Sequence, residues 1–177
     1  FIAKCGSSPP DVLMQNNGNG TFTNVAGPLG LADGQQSWSS AWGDFDNDGD
    51  VDLFVGGRCI TQDYGITPQS YIYENDGTGH FKDIVYADSA ISKMGMVTAA
   101  TWSDLNGDGK KELIVTGDWM CPKVFTYKGN HQFEAFNTGL ENQYGFWKSI
   151  AVADLDGDGD NDLVLGNLGE NCYLKAG

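Results

Sequence analysis

Short apolar runs recur along the chain, separated by acidic segments rich in glycine. The runs at 53–55, 113–115 and 163–165 consist of aliphatic and aromatic residues bounded by turn-forming residues, which predicts short strands. Consecutive apolar positions predict that both faces of these strands are buried. The segment before each run alternates small residues with Trp42, Trp102 or Val152, so one face is small enough for a neighbouring sheet to approach closely.

The same pattern occurs three times, with acidic loops that begin at Asp44, Asp104 and Asp154. A glycine turn followed by phenylalanine recurs in step with the loops. One unit therefore reads strand, acidic loop, strand, variable loop, strand, glycine turn, strand, which is a four-stranded antiparallel meander. Stacked units of this length predict a β-propeller, and a β-solenoid, whose repeats are usually shorter, is the alternative.

The predicted fold is therefore all-β, with roughly three and a half blades in an incomplete ring. We expect whole blades at 38–85 and 96–136 and partial blades at 1–25 and 147–177. Closed propellers have about four to eight blades. The chain begins with Phe1 rather than methionine, which favours a fragment or a processed product. The missing blades are expected to come from the rest of a parent protein or from neighbouring chains.

Each acidic loop reads D-x-[DN]-x-D-G-x-x-[DE], a spacing that predicts calcium binding. Side-chain oxygens recur at positions 1, 3, 5 and 9, the position-6 glycine permits a sharp bend, and position 7 offers its backbone carbonyl. Hard oxygen donors in a flexible loop suit Ca²⁺ better than Mg²⁺. The candidate ligands of three calcium sites are Asp44, Asp46, Asp48, Asp50 and Asp52; Asp104, Asn106, Asp108, Lys110 and Glu112; and Asp154, Asp156, Asp158, Asp160 and Asp162.

An EF-hand and an ion-free turn are the two alternatives to such a calcium loop. An EF-hand requires a glutamate at position 12 and flanking helices, whereas position 12 here is valine or leucine within a predicted strand. Clusters of Asp, Asn and Gly also form turns without an ion, but three such clusters in register gather acids that repel one another unless neutralised. The second loop has three ligand charges where the others have four, so it is predicted to bind calcium most weakly.

These loops, placed between an Ala-Trp strand and a Leu-Phe-Val strand, resemble the FG-GAP or VCBS-type repeat, which also builds the propeller of integrin α-subunits. The resemblance covers nearly the whole chain and extends to residues 75–81 and 166–169. It implies a seven-bladed propeller with calcium on one rim, an extracellular or cell-surface location, and a role in adhesion or assembly.

Four cysteines, Cys5, Cys59, Cys121 and Cys172, each follow the second strand of successive units. That position lies on the rim opposite the calcium loops. Disulfide pairing is expected in an oxidising compartment, with three connectivities open, although equivalent points on adjacent blades can exceed the ~7 Å that a disulfide spans. Zinc binding and small buried thiols are the alternatives.

The chain has 177 residues, 10 basic against 24 acidic, and a formal charge of -14. This balance argues against nucleic-acid binding, and no apolar stretch is long enough to span a membrane. Thirteen of the 24 acids lie in the three loops, so three bound Ca²⁺ ions, carrying six positive charges, would leave -8. The acidity therefore indicates metal rather than a basic partner.

Trp42 and Trp102 are expected to pack between blades, but Arg58, Trp119 and Trp147 lie in variable segments and form a candidate ligand surface. The predicted function is a calcium-stabilised binding or assembly module of a secreted or surface protein, with a protein or a glycan as its ligand. One alternative is an architectural subunit whose blades complete those of other chains in a ring or filament. Another is a polysaccharide-active enzyme, which is disfavoured because the chain carries no nucleophile-elbow, zincin or P-loop motif.

Overall fold

The computed structural model describes residues 11–31, 37–60, 63–85 and 89–169. In this part of the chain the secondary structure is entirely β, which confirms the predicted fold class. The strands are β1 (Met14–Asn16), β2 (Phe22–Asn24), β3 (Ser39–Gly43), β4 (Asp52–Gly56), β5 (Tyr71–Asn75), β6 (Phe81–Asp83), β7 (Met96–Ser103), β8 (Glu112–Met120), β9 (Lys123–Tyr127), β10 (Phe133–Phe136), β11 (Gly145–Ala153) and β12 (Asp162–Asn167). These residues include no helix long and apolar enough to cross a bilayer.

Strands β3 to β6 form a four-stranded antiparallel sheet in chain order, which is the predicted meander. Its second strand, β4, is buried along its whole length, as its continuous apolar sequence predicts. Strands β1 and β2 form a separate two-stranded antiparallel sheet. The predicted bounds of the partial blades at 1–25 and 147–177 stay predictions, because parts of both segments lie outside the described residues.

Strands β7 to β10 also pair in chain order, which is the second predicted meander, but β11 and β12 are not separate from it. Strand β8 pairs with β7 on one side and β9 on the other, and its last residues also pair with the start of β11 (Gly145 with Met120, Phe146 with Asp118). One six-stranded sheet results. The cause is the length of β8, since β9 pairs only with residues 113–115 and leaves the end of β8 for β11.

The sheets stack through the small residues that the alternating pattern identified. An added Cβ on Gly43 would lie 2.7 Å from the Trp102 ring, so only glycine permits this approach. Trp102 is 8 % exposed, stacks on Phe45 at 5.8 Å, and donates its indole N–H to the carbonyl of Ala41 at 3.3 Å. Trp42, at the equivalent position in β3, is 40 % exposed and makes an edge contact with Phe81. Only the later of the two tryptophans is therefore sandwiched between described sheets.

The two ends of each meander carry different chemistry. Successive connections of an antiparallel meander lie at opposite ends, so the acidic loops and the glycine turns share one rim, here called the acidic rim. The β4–β5 loop, the β8–β9 turn and the segments that enter β3 and β11 lie at the opposite rim. The two groups of candidate site residues therefore occupy opposite rims.

Candidate functional site

The acidic loops at 44–52, 104–112 and 154–162 share one set of internal hydrogen bonds. In each, the position-1 carboxylate accepts the N–H of the position-6 glycine at 2.8 to 3.1 Å. The side-chain oxygen at position 3 accepts the N–H of position 5, and that at position 5 accepts the N–H of position 7, at 2.8 to 3.2 Å. The position-9 acid accepts the N–H of position 2. The repeated spacing in sequence thus produces a repeated loop conformation.

Left-handed backbone at two positions bends each loop. The position-6 glycines Gly49, Gly109 and Gly159 have φ between 81° and 98°, a region that favours glycine. Position 4 is also left-handed, with glycine in two loops and Asn47 (φ 62°) in the first. Asparagine tolerates this conformation better than most residues.

The first loop brings three carboxylates together. One oxygen each from Asp44, Asp46 and Asp48 lie within 4.8 Å of one another. Asp44 Oδ1 is buried and has no hydrogen-bond partner among the described residues. A buried carboxylate oxygen without a partner is costly unless a cation or a proton neutralises it. The donor set of this loop therefore fits a hard divalent cation.

The electrostatics of the first loop agree with this fit. Burial raises the pKa of Asp46, and the charges of Asp48 and Asp44 raise it further. Burial also raises the pKa of Asp52 to about 6, although the N–H groups of Asn75 and Phe45 lower it. Burial thus makes the charged form of these acids unfavourable, and a neighbouring cation would offset this cost.

Asp52, the position-9 acid of the first loop, links the loop to β5. Its side chain is fully buried, and its two oxygens accept the backbone N–H groups of Phe45 at 3.2 Å and Asn75 at 2.9 Å. It is not one of the three clustered carboxylates. It therefore holds the loop against β5, and its role as a calcium ligand stays a prediction.

The third loop also forms a cluster, with a different membership. Oxygens of Asp154, Asp156 and Asp162 lie within 4.8 Å of one another, and all three residues are exposed. Here the position-9 acid joins the cluster and Asp158, at position 5, does not. Two of the three predicted sites therefore gather acids that could hold a metal ion.

The second loop forms no such three-acid group among the described residues. Asn106 uses its Oδ1 to accept the N–H of Asp108, so its Nδ2 points toward the acids. That nitrogen lies 3.5 Å from both Asp108 Oδ2 and Glu112 Oε1. Where the other loops place a carboxylate oxygen at position 3, this loop presents an N–H donor, which cannot bind a cation. The pKa of buried Glu112 is nevertheless raised, first by burial and then by the charges of Asp108 and Asp104.

The position-7 side chains, at Asp50, Lys110 and Asp160, are not part of either cluster. Asp50 Oδ2 lies against Gly77 of the β5–β6 turn, where an added Cβ would come within 2.6 Å of it. The contribution of a backbone carbonyl at position 7 stays a prediction.

Asparagine side chains link neighbouring loops. Asn47 of the first loop donates to the carbonyl of Gly109 in the second at 3.1 Å. Asn161 of the third loop donates to the carbonyl of Asp104 at 2.9 Å and to Ser103 Oγ at 3.2 Å. The three loops thus form one hydrogen-bonded row along the acidic rim.

The opposite rim carries a second group of interacting side chains, here called the Asp118 cluster. Asp118 Oδ2 accepts Arg58 Nε at 2.8 Å and Tyr64 Oη at 3.3 Å, and Lys148 Nζ contacts Oδ1. The Arg58 guanidinium lies 4.2 Å from the centre of a Trp38 ring. Phe146 packs on Trp119 with ring centres 4.1 Å apart. The cluster consists of Trp38, Arg58, Tyr64, Asp118, Trp119, Phe146 and Lys148.

The structure therefore brings two of the three candidate ligand-surface residues together and leaves one apart. Arg58 and Trp119 belong to the cluster, whereas the described hydrogen bonds of Trp147 go to Gln143 and Thr98. Asp118 and Lys148 were missed by sequence reasoning. The available signal was Asp118, an acid near the end of β8 that lies outside the acidic loops.

Cys121 is a free thiol in this structure and is only 8 % exposed, and the pairing of the four cysteines stays a prediction. It forms no disulfide with Cys59. Packed sheets are spaced about 10 Å apart, which is farther than the ~7 Å between Cα atoms that a disulfide tolerates. Cys5 and Cys172 lie outside the described residues.

Comparison with known families gives one match that covers most of the chain. Residues 1–55 and 104–165 match the FG-GAP-like repeat. The second matched segment contains two of the three acidic loops, and the first contains the other.

Three curated relatives match most of the chain at low sequence identity. Cartilage acidic protein 1 of Xenopus tropicalis is 26 % identical over 174 residues, which cover 88 % of this chain and 25 % of the relative. The protein of the same name from Mus musculus is 28 % identical over 168 residues, and that from Homo sapiens 27 % over 168 residues. The chain therefore spans about a quarter of the length of these relatives.

Proposed function

Since the chain belongs to the FG-GAP-like repeat family, we propose that it is a calcium-stabilised β-propeller module of an extracellular or cell-surface protein that recognises a protein or a glycan. The observation that carries the metal part of this proposal is the first loop. There, three carboxylates converge and the buried Oδ1 of Asp44 lacks a partner among the described residues.

Calcium fits these loops better than other divalent ions. The candidate ligands of the first and third loops are carboxylates and a backbone carbonyl, with neither histidine nor cysteine among them. Hard oxygen ligands exclude the softer transition metals as the preferred ion, and the irregular loop suits the flexible coordination of Ca²⁺.

The proposed role of calcium is structural. In the first and third units the ion would fix the connection between two paired strands, β3 with β4 and β11 with β12. It would also neutralise acids that otherwise repel one another. Because the ion binds the folded loop and not the unfolded chain, its binding free energy adds to the stability of the fold.

An extracellular location is proposed on three grounds. The family to which the chain belongs favours it, and the relatives carry a name that associates them with cartilage. Their name also describes them as acidic, a property that this chain shares through its formal charge of -14. Millimolar calcium outside cells would saturate sites in the weak range of extracellular modules.

Removing the position-1 carboxylate of each loop tests the calcium sites individually. We expect Asp44→Asn and Asp154→Asn each to abolish one calorimetric binding event, because each removes a charged ligand from a three-acid cluster. Asp104→Asn should change calcium binding least, since the second loop has fewer charges and presents an amide donor at its centre. Equal losses in all three variants would contradict this ranking.

The amide donor of the second loop leads to a separate prediction. The substitution Asn106→Asp should raise the calcium affinity of that loop by about tenfold or more, because a fourth carboxylate takes the place of the N–H group. Calorimetry of the variant against the parent chain measures the gain. Lys110→Ala serves as the control, because it removes a positive charge from the same loop without changing the donor at position 3. If both variants gain equally, net charge rather than the amide limits the site.

A second candidate function, assembly with further blades, is favoured by a difference in burial between equivalent strands. Residues 53–55 and 113–115 are at most 2 % exposed, whereas Val164 at the equivalent place in β12 is 52 % exposed. Leu155 and Leu168 near the same sheet are 64 % and 45 % exposed. We propose that another four-stranded unit, from the same protein or from another chain, covers this face. Light scattering tests whether the covering unit comes from another chain. Association of chains in calcium supports this source, and a monodisperse monomer contradicts it.

A further inference from the structure

The Asp118 cluster is the place on the opposite rim where charge and exposed aromatic rings coincide. The Asp118 side chain is fully buried and has two cationic partners, Arg58 and Lys148. Two cations against one carboxylate leave a local charge of +1 within a chain of formal charge -14. Arg58 is also the only arginine in the sequence.

Both cations remain accessible to a ligand. The side chains of Arg58 and Lys148 are 23 % and 32 % exposed, while Asp118 is inaccessible. In the part of the chain that the structure describes, the hydrogen bonds of both cations go to Asp118. A guanidinium has five N–H donors and an ammonium three, so donors remain for an anion approaching from solvent.

Three aromatic side chains surround this positive centre and face solvent. Trp38, Tyr64 and Trp119 are 46 %, 56 % and 53 % exposed. Trp119 has φ 59°, a conformation that is unfavourable for a bulky residue and that occurs mostly where the surrounding structure enforces it. The backbone of β8 thus displays this indole at the surface, supported by Phe146, instead of burying it.

We propose that the Asp118 cluster binds an acidic sugar residue of a glycan. The C–H face of the sugar ring would pack on Trp119, and its carboxylate or sulfate group would accept hydrogen bonds from Lys148 and Arg58. The buried Asp118 acts as a positioning residue that fixes both cations and never touches the ligand. This inference rests on the proposed function, of which it names the partner class.

The distribution of the side chains favours a glycan over a protein partner. A stable protein interface buries about 1,600 Å² around an apolar centre, whereas this cluster has separate exposed rings around a charged centre. The acidic loops, which hold 13 of the 24 acids, lie on the other rim. Repulsion of an acidic sugar by those loops is therefore reduced by distance and by salt.

The test is calorimetry of the full chain in calcium with three acidic trisaccharides, built from galacturonate, glucuronate or 6-sulfated galactose. We expect at least one to bind, and its carboxyl-reduced or desulfated counterpart to bind at least tenfold more weakly. Failure of all three at millimolar concentration would overturn the proposal. So would equal binding of the neutral counterpart, or equally tight binding of inorganic sulfate, which would indicate an anion site without sugar recognition.

Two variants and a control separate recognition from folding. Trp119→Ala should weaken binding at least tenfold while leaving the ion pairs of Asp118 in place. Lys148→Met should do the same, but it removes a partner of a buried acid, so its thermal unfolding is measured as well. Trp42→Ala, which removes a 40 % exposed tryptophan outside the cluster, should leave binding unchanged. Unchanged binding in Trp119→Ala would overturn the site.

The outcomes for calcium and for the glycan remain distinguishable. Thermal unfolding of the same samples with calcium or chelator reports the calcium sites independently. A chain stabilised by calcium that binds no acidic sugar overturns only this inference. A chain that binds the sugar without being stabilised by calcium overturns the calcium part of the proposed function and leaves this inference standing.

Discussion

Chelation of calcium should lower the free energy of unfolding by about 5 kcal/mol. A single site held at 100 times its dissociation constant contributes about 2.7 kcal/mol, and two clustered sites would contribute about twice that. Domains of this class have a total stability of only about 5–15 kcal/mol. For a chain of this length, the loss corresponds to a fall of about 10–20 °C in the unfolding temperature.

Circular dichroism during heating, in millimolar calcium and then in EGTA, measures this effect. Two controls distinguish specific binding from the screening of acidic repulsion. Magnesium at the same concentration should restore little stability, because it dehydrates reluctantly and requires a smaller octahedral site. Sodium chloride at matched ionic strength should also restore little. Equal unfolding temperatures in calcium and in EGTA would show that the loops do not stabilise the fold through an ion.

The second large effect is expected for Trp102→Ala. Trp102 is 8 % exposed and fills the space between the β3–β6 sheet and the six-stranded sheet, against Gly43 and Phe45. Its removal leaves a cavity and breaks the hydrogen bond to the Ala41 carbonyl, so the expected loss is about 3–5 kcal/mol. Urea unfolding of the calcium-loaded chain measures it.

Trp42→Ala is the matched control, because the two tryptophans occupy equivalent positions in their units. Trp42 is 40 % exposed, and its removal should cost less than about 1 kcal/mol. If the two substitutions cost the same, Trp42 is covered by a further part of the assembly, and the stacking described for Trp102 is not what distinguishes the two residues.

The acidic loops could be predicted from the sequence because their geometry is local. Within nine residues, each side-chain oxygen accepts a backbone N–H at most seven positions away. The contact of Asp52 with Asn75 could not be predicted, because Asn75 lies 23 positions further along the chain. The inward-facing N–H of Asn106 was also missed, since the pattern treats Asp and Asn at position 3 as equivalent oxygen donors.

The arrangement of the sheets was predicted only where neighbouring strands are consecutive. The pairing of β8 with β11 depends on the last residues of β8, which extend beyond the partner positions of β9. The equivalent sequence patterns around Trp42 and Trp102 also give no information about which tryptophan will have a sheet on both sides.

The Asp118 cluster could also be predicted only in part from the sequence. Its members come from four segments between Trp38 and Lys148, and its central contacts join residues 60, 54 and 30 positions apart. Sequence reasoning selected Arg58 and Trp119 because they lie in variable segments, but nothing local indicates that Asp118 would connect them. Contacts of this range are set by the stacking of the sheets and by the pairing of β11 with β8.

Equilibrium dialysis against radioactive calcium tests most directly whether the acidic loops hold calcium. We expect at least two ions per chain at micromolar to millimolar free calcium, with the count falling by one in Asp44→Asn and by one in Asp154→Asn. A third ion is expected only at higher calcium, or after Asn106→Asp. Fewer than one ion per chain at millimolar calcium, or a count unchanged by both substitutions, would contradict calcium binding by these loops.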